Sequence, residues 1–182
     1  MARIDGQLEH QPLESVAVVS LLQNVIERVR LSSSAPISIA LQASGDLSVR
    51  GHRERLDQAF ENVLANAASL APAGTAIDVV VRPSAAEVLV SVQDRGPGIP
   101  DAHLPRLFDR FFSYRPGEAR RDHLGLGLSI TRQIVESYGG TITARNRAGG
   151  GAEFDVVLRR STEVRASGAA ISGRVDSVPS RS

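Results

Sequence analysis

The sequence contains no cysteine and no tryptophan, and its aromatic side chains are limited to five Phe and two Tyr. Without cysteine, disulfide bonds and thiolate metal sites are excluded. Charge of one sign is also lacking, since 21 Lys and Arg oppose 20 Asp and Glu, so no broad basic field points to nucleic acid or an anionic membrane. No apolar run approaches the roughly 18 residues of a membrane span, and no signal peptide is recognisable. These absences predict a soluble chain that fits a reducing compartment.

What the sequence does contain is typical of one globular domain. Hydrophobic residues make up 42% and charged residues 23% of the 182 positions, and a chain of this length can bury a substantial single core. After Arg160 the sequence consists mainly of Ser, Arg, Gly and Ala without an apolar period, so residues 161–182 are predicted to form a disordered tail. The folded domain is expected to span residues 13–160.

The spacing of apolar residues predicts the order of helices and strands. Helical spacing covers residues 15–30, 53–70 and 125–140, and alternation predicts strands at 36–41, 47–49, 75–81, 87–93, 141–146 and 152–159. The strand at 47–49 is expected to pair with 36–41 across the turn at 44–46. A long irregular loop fills 94–123, with a short helix at 101–107. This order predicts an α+β fold, a two-layer α/β sandwich in which helices cover one face of a mixed, mostly antiparallel sheet.

Two asparagines lie four positions apart on the helix predicted at 53–70. Asn62 and Asn66 therefore project from the same helix face, although Asn is unfavourable inside a helix. Their amide oxygens suit a hard cation such as Mg²⁺ that also relies on substrate phosphates. A solvent-facing amide pair, or caps to a neighbouring loop, explains the same pattern.

Two glycine-rich stretches border the long loop. "DRGPGIP" (94–100) follows a predicted strand, and Gly96 and Gly98 allow backbone conformations and close approach that a Cβ forbids. Taken alone, the stretch is better explained as a turn. "GLGLS" (125–129) opens a helix, where unpaired N–H groups can bind an anion. Its spacing is that of neither a P-loop nor a dinucleotide fingerprint.

Between these stretches lies the aromatic segment "LFDRFFSYR" (107–115). Phe108 is expected to pin the loop to the core, because a buried aromatic ring contributes a large apolar area. Arg110 and Arg115 could reach a phosphate, which guanidinium groups often bind.

The four signals together, in this order, resemble the catalytic ATP-binding domain of sensor histidine kinases, within the gyrase, Hsp90, histidine kinase and MutL ATPase superfamily. "ENVLANA" (61–67) is similar to the N box, "DRGPGIP" (94–100) to the G1 box, "LFDRFF" (107–112) to the F box and "GLGLSI" (125–130) to the G2 box. The match runs from about residue 13 to 159. The resemblance implies the Bergerat fold, with ATP and Mg²⁺ as the bound cofactors.

The resemblance also implies a role for each matching residue. Asp94 would accept a hydrogen bond from the adenine amino group, Asn66 with Asn62 would bind Mg²⁺ at the phosphates, and residues 109–124 would form a lid over the nucleotide. The implied catalytic residues are Asn62, Asn66 and Arg110. The implied nucleotide-binding residues are Asn62, Asn66, Ser69, Leu70, Asp94, Gly96, Gly98, Ile99, Arg115, Gly125, Leu126, Gly127 and Leu128.

The N box separates subclasses of this superfamily. Gyrase-like and Hsp90-like ATPases place a water-activating glutamate four residues before the metal Asn, where this sequence has Asn62; Glu61 is displaced by about 100° around the helix. Phosphoryl transfer to a protein is therefore favoured over hydrolysis. Ser69 and Leu70 depart from the pattern, because many kinases of the family carry a lysine and an aromatic residue there.

The resemblance makes the chain part of a kinase that phosphorylates a histidine on a dimerisation domain, from which a response-regulator aspartate takes the phosphate. His10 has no long helix around it and is not the expected acceptor, so residues 1–12 are interpreted as the end of an upstream linker or dimerisation helix. No nucleic-acid partner and no direct membrane contact are expected, and the chain is placed in the cytoplasmic portion of an inner-membrane sensor. A stand-alone anti-sigma-type serine kinase of the same fold, or a degenerate nucleotide-sensing module, are the alternatives.

Overall fold

The structure is a computed structural model that describes residues 12–33, 36–45, 47–113 and 125–161. The strands are β1 (Glu14–Ala17), β2 (Ser38–Ala43), β3 (Ser48–Gly51), β4 (Ala76–Ser84), β5 (Glu87–Gln93), β6 (Thr141–Asn146) and β7 (Ala152–Arg159). The helices are α1 (Val18–Ser32), α2 (Arg53–Leu70) and α3 (Gly127–Ser137), with a 3₁₀ turn at Leu104–Arg106. Within these ranges no helix combines the length and the apolar character that crossing a bilayer requires.

Five strands form the main sheet in the order β2-β4-β5-β7-β6. The β2–β4 pair is parallel, and the other three pairs are antiparallel. The two-layer α/β sandwich with a mixed, mostly antiparallel sheet is therefore confirmed. Because β5 lies between β4 and β7, the residue that follows it, Asp94, is carried by the middle strand of the sheet.

The core lies between the sheet and the helices. Alternate residues of the central strands are fully buried, and they meet buried residues of α1 and α2 in one cluster. Val90, for example, is paired with Val81 of β4 on one side and Val156 of β7 on the other. The period-2 alternation of the strands and the 3.6-residue period of the helices thus point their apolar sides at each other.

The first helix begins later than its apolar spacing predicts. Residues 14–17 form β1, which pairs antiparallel with β3 in a separate two-stranded sheet. The expected pairing of 47–49 with 36–41 is therefore wrong. Val16 would lie about 160° from Val18 around a longer helix, off its apolar face, whereas in β1 it is buried and pairs with Val49. The last described residue, Ser161, is also buried and donates its N–H to the Ser48 carbonyl at 2.7 Å.

A tyrosine joins the end of α3 to the start of α2. The Tyr138 hydroxyl accepts the N–H of His52 at 3.2 Å and lies 3.0 Å from its Nδ1 atom. The two rings meet edge to face with centroids 6.0 Å apart. Burial is the main cause that raises the pKa of Tyr138 above its ordinary value, so the folded protein holds the phenol proton more tightly than the unfolded chain does.

We expect Tyr138→Phe to lower the free energy of unfolding by about 1 kcal/mol at neutral pH, because the buried His52 N–H loses its acceptor. The raised pKa gives a second effect. The protonated Tyr138 phenol contributes its full stabilisation of the folded protein below about pH 10, where the tyrosine of the unfolded chain ionises. This contribution is lost as the pH rises through the pKa of the folded protein. Urea titrations from pH 7 to 11 should therefore show a smaller alkaline loss of stability for Tyr138→Phe than for the wild type. An equal alkaline loss in both proteins would contradict the assignment.

Candidate nucleotide-binding site

Asp94 is held rigidly at the end of β5 and is only 2% exposed. Its Oδ1 atom accepts the N–H of Gly96 at 2.8 Å and that of Ala152 at 3.1 Å. Its own N–H donates to the Ala152 carbonyl at 3.0 Å. The other carboxylate oxygen, Oδ2, is buried and has no hydrogen-bond partner among the described residues. An unpaired buried acceptor costs about 1–3 kcal/mol, more for a charged group, so this atom is suited to a ligand that brings a donor.

A pocket opens at this carboxylate. Its lining is mostly apolar with a few polar groups, which is the character of small-molecule sites in which the polar groups fix orientation. The residues that line it are Asn66, Leu70, Asp94, Pro97, Gly98, Ile99, Leu107, Ala152 and Phe154. Five of these were predicted from the sequence: Asn66, Leu70, Asp94, Gly98 and Ile99. A flat heteroaromatic ring with one amino donor fits such a surface.

Four lining residues were missed by sequence reasoning: Pro97, Leu107, Ala152 and Phe154. Pro97 lies in the G1 box and Leu107 in the F box, but neither was named as a binding residue. Ala152 and Phe154 come from β7, and the antiparallel register that sets Gln93 opposite Glu153 brings them beside Asp94. Strand pairing is the signal that could have revealed them, because the local sequence of β7 carries no mark of a site.

The two predicted asparagines have different environments on α2. The Asn62 amide nitrogen donates to the Gly127 carbonyl at 3.0 Å, and the same oxygen accepts the Thr131 hydroxyl at 2.9 Å. Asn62 therefore ties α2 to the first turn of α3. One turn further, the Asn66 side chain lines the pocket and has no hydrogen-bond partner among the described residues. Ser69 donates its hydroxyl to the Asn66 carbonyl at 2.7 Å and lines a separate groove between α1 and α2.

The residues of the predicted G2 box flank the pocket without lining it. Gly125 has φ +63°, and its carbonyl accepts the Phe111 N–H at 3.1 Å. A Cβ at Gly125 would lie 2.6 Å from the Phe112 carbonyl oxygen, so only glycine permits this approach. Leu126 directly precedes α3, and Leu128 packs against the core.

The aromatic segment is anchored as the sequence predicts. Phe108 is partly buried against the core, and the Phe112 ring stacks edge to face on His103 with centroids 5.5 Å apart. Arg110 donates to the Gln133 side chain at 3.3 Å, so a phosphate contact for it remains a prediction. Residues 114–124 of the expected lid, including Arg115, lie outside the described residues.

The described residues contain no cluster of three His, Asp or Glu side chains that could hold a metal. The groups that the site can offer to a cation are the side-chain amide oxygens of its asparagines. This donor set fits Mg²⁺ when phosphates and waters supply most of its ligands, because Mg²⁺ keeps several waters and needs few protein contacts. Asn66 is the better placed of the two asparagines, because it lines the pocket and Asn62 does not.

The fold and the pocket agree with the comparisons with known proteins. The family of histidine kinase-, DNA gyrase B- and HSP90-like ATPases matches residues 51–162, and the chain therefore belongs to this family. The match contains α2 with its two asparagines, the Asp94 loop and α3 with its glycine-rich start. It thus includes every described residue that the sequence placed at the nucleotide.

The relatives within this family are sensor histidine kinases. The sensor protein ChvG of Rhizobium meliloti is 34% identical over 158 residues, which are 81% of this chain and 27% of that protein. The mycobacterial sensor histidine kinase MprB superposes with a TM-score of 0.71 at 30% identity, over 81% of this chain and 97% of that structure. Full-length ShkA in complex with AMPPNP gives 0.68 at 27% identity, over 83% and 32%. The chain is thus an ATP-binding domain of the histidine kinase type that spans about a quarter of ChvG.

Proposed function

We propose that the chain binds Mg²⁺-ATP and presents its γ-phosphate to a histidine on a dimerisation domain, from which a response-regulator aspartate takes it. The observation that carries the proposal is the unpaired Oδ2 atom of Asp94 inside an apolar pocket. The exocyclic amino group of adenine supplies the donor that this oxygen lacks. Guanine has a carbonyl at the same ring position, so it would set two acceptors against each other.

The phosphates would lie toward Asn66 and the start of α3. Asn66 is free to give its amide oxygen to Mg²⁺, and unpaired N–H groups at a helix N-terminus favour an anion. Magnesium, when bound, would neutralise phosphate charge and orient the γ-phosphoryl group. Arg110 contacts Gln133 in the middle of α3. It is proposed to reach the phosphates together with Arg115.

The N box favours transfer to a protein over hydrolysis. Position 62, where a hydrolytic member of the superfamily would carry glutamate, holds an asparagine whose nitrogen bonds the Gly127 carbonyl. Glu61 instead lies 3.2 Å from Arg28 of α1, which also pairs with Asp57. No carboxylate of α2 is therefore directed at a water beside the phosphate, and positioning with electrostatics would supply the catalysis.

The partners follow from the class of protein. A histidine-bearing dimerisation domain and a response regulator are proposed, in a parent protein whose kinase part faces the cytoplasm. Nucleic acid and the membrane surface are not proposed as partners of this chain, because its charges are balanced. The relatives are sensor histidine kinases, and they favour neither an anti-sigma-type serine kinase nor a degenerate module.

Calorimetry with Mg²⁺-ATP and Mg²⁺-GTP on this chain tests the proposal. We expect binding of ATP and at least tenfold weaker binding of GTP, because the Asp94 acceptor rejects the guanine carbonyl. Adding the dimerisation domain of the parent protein with radiolabelled ATP should then give an acid-labile phosphohistidine. A folded chain that gives no heat with either nucleotide would overturn the proposal, and equal affinities would overturn the role of Asp94 in base selection.

A further inference from the structure

Asn146, the last residue of β6, reaches across to the nucleotide loop with both ends of its side-chain amide. Its Oδ1 atom accepts the Ile99 N–H at 2.8 Å, and its Nδ2 atom donates to the Ile99 carbonyl at 2.7 Å. These two bonds satisfy the main-chain groups of Ile99 as a neighbouring strand would do. The Ile99 side chain is 9% exposed and forms part of the wall of the nucleotide pocket.

The next residue, Arg147, holds the other end of the same loop. Its Nη1 atom donates to the Asp94 carbonyl at 2.6 Å. The loop between Asp94 and Ile99 contains Pro97, which has no N–H. Pro97 therefore cannot donate a main-chain hydrogen bond that would help to hold the loop. The end of β6 therefore fixes both the residue that offers the acceptor and the residue that forms the wall.

Asn146 supports the loop from behind. It does not line the pocket that contains the Asp94 carboxylate, and it lines instead a second, open pocket along residues 97–100. Pro97, Gly98 and Ile99 line both pockets, so this part of the loop is a thin wall between them. A wall of this kind keeps its position only if it is tied on the side away from the ligand.

We infer that Asn146 is a positioning residue of the nucleotide site, which sets Ile99 and the 97–100 wall against the adenine ring through paired main-chain hydrogen bonds. The inference rests on the proposed function, because it assigns Asn146 to the base half of that site. Both bonds are made within the chain, so the position of the wall does not depend on contacts with the nucleotide.

Two substitutions separate hydrogen bonding from packing. Asn146→Ala removes both bonds. Asn146→Asp keeps the shape of the side chain and the acceptor for the Ile99 N–H, but it replaces the donor by an oxygen that faces the Ile99 carbonyl. Thr143→Ala is the matched control, because Thr143 lies exposed on the same strand. We expect each Asn146 variant to bind Mg²⁺-ATP about tenfold more weakly, with a smaller loss for Mg²⁺-GTP, and the control to bind as the wild type does.

Hydrogen exchange of the nucleotide-free protein gives an independent measurement. The Ile99 amide should be protected in the wild type and lose that protection in Asn146→Ala, which removes its acceptor, while the Val90 amide of β5 stays protected in both. Wild-type ATP affinity in both Asn146 variants would overturn the inference and leave the proposed function intact, as would an unprotected Ile99 amide in the wild type. If Asn146→Ala fails to fold, Asn146→Asp and the wild-type exchange decide. A wild type that binds no nucleotide would refute the proposed function, and the Ile99 amide would still report on the two bonds.

Discussion

Asp94→Asn is expected to weaken Mg²⁺-ATP binding by ten- to more than a hundredfold, which corresponds to about 1–3 kcal/mol. The substitution keeps the shape of the side chain, and one amide oxygen can still accept the N–H groups of Gly96 and Ala152 that now bond Oδ1. The atom in the place of Oδ2 becomes an amide nitrogen, which donates. In the proposed complex, two donors then face each other where the wild-type carboxylate would accept from the adenine amino group.

Calorimetry on the nucleotide-free protein checks this expectation. Asp57→Asn is the control, because it makes the same chemical change at a carboxylate that pairs with Arg28 of α1 and does not line the pocket. Thermal unfolding of Asp94→Asn without nucleotide should show a folded protein, since the hydrogen bonds to Oδ1 are retained. A variant that binds ATP as tightly as the wild type would show that the base does not contact Asp94.

Gly151→Ala is expected to be the most destabilising single change in the β6–β7 turn, by several kcal/mol, with loss of ATP binding. Gly151 has φ +88°, which a residue with a Cβ rarely adopts. The added Cβ would also lie 2.8 Å from the Asp94 carbonyl carbon and overlap the carbonyl oxygen. The strain therefore falls on the residue that offers the acceptor.

The same turn supplies a graded series of controls. Gly150 has φ +91° with open space around its Cβ position, and Gly149 has open space and no positive φ. Alanine at Gly150 should cost about 1–2 kcal/mol through the backbone alone, and alanine at Gly149 should be close to neutral. Urea titrations of the three variants should rank them in that order. Equal effects at Gly150 and Gly151 would contradict the role assigned to the contact with Asp94.

Where the local pattern is long and clearly ended, the sequence predicted the fold closely. α2 begins and ends at residues 53 and 70 as its apolar period indicates, and β5 and β6 have their predicted bounds. Residues 15–17 were misassigned to the first helix because three residues are too few to show a strand period of their own, and only their pairing with the distant strand β3 makes them a strand.

The candidate site shows the same division. The order of the N, G1, F and G2 boxes identified the family and singled out Asp94, which lines the pocket, because each motif is local. Asn146 and Arg147 left no local signal, since their role depends on the register of β6 against β7 and on the loop that meets the hairpin end. The Asn62 bond to Gly127 is likewise a contact between two helices, which neither helix sequence reveals.

The position of Asp94 at the end of β5 has a consequence for ligands simpler than ATP. β5 has a paired strand on each side, and the loop that follows it is tied at Asp94 and at Ile99. The base half of the proposed site is therefore held by contacts within the chain, and its occupation would need little ordering of the chain. A small heteroaromatic compound that carries one amino group would meet a finished recognition surface, and it would need no phosphate to adopt the orientation of the adenine ring.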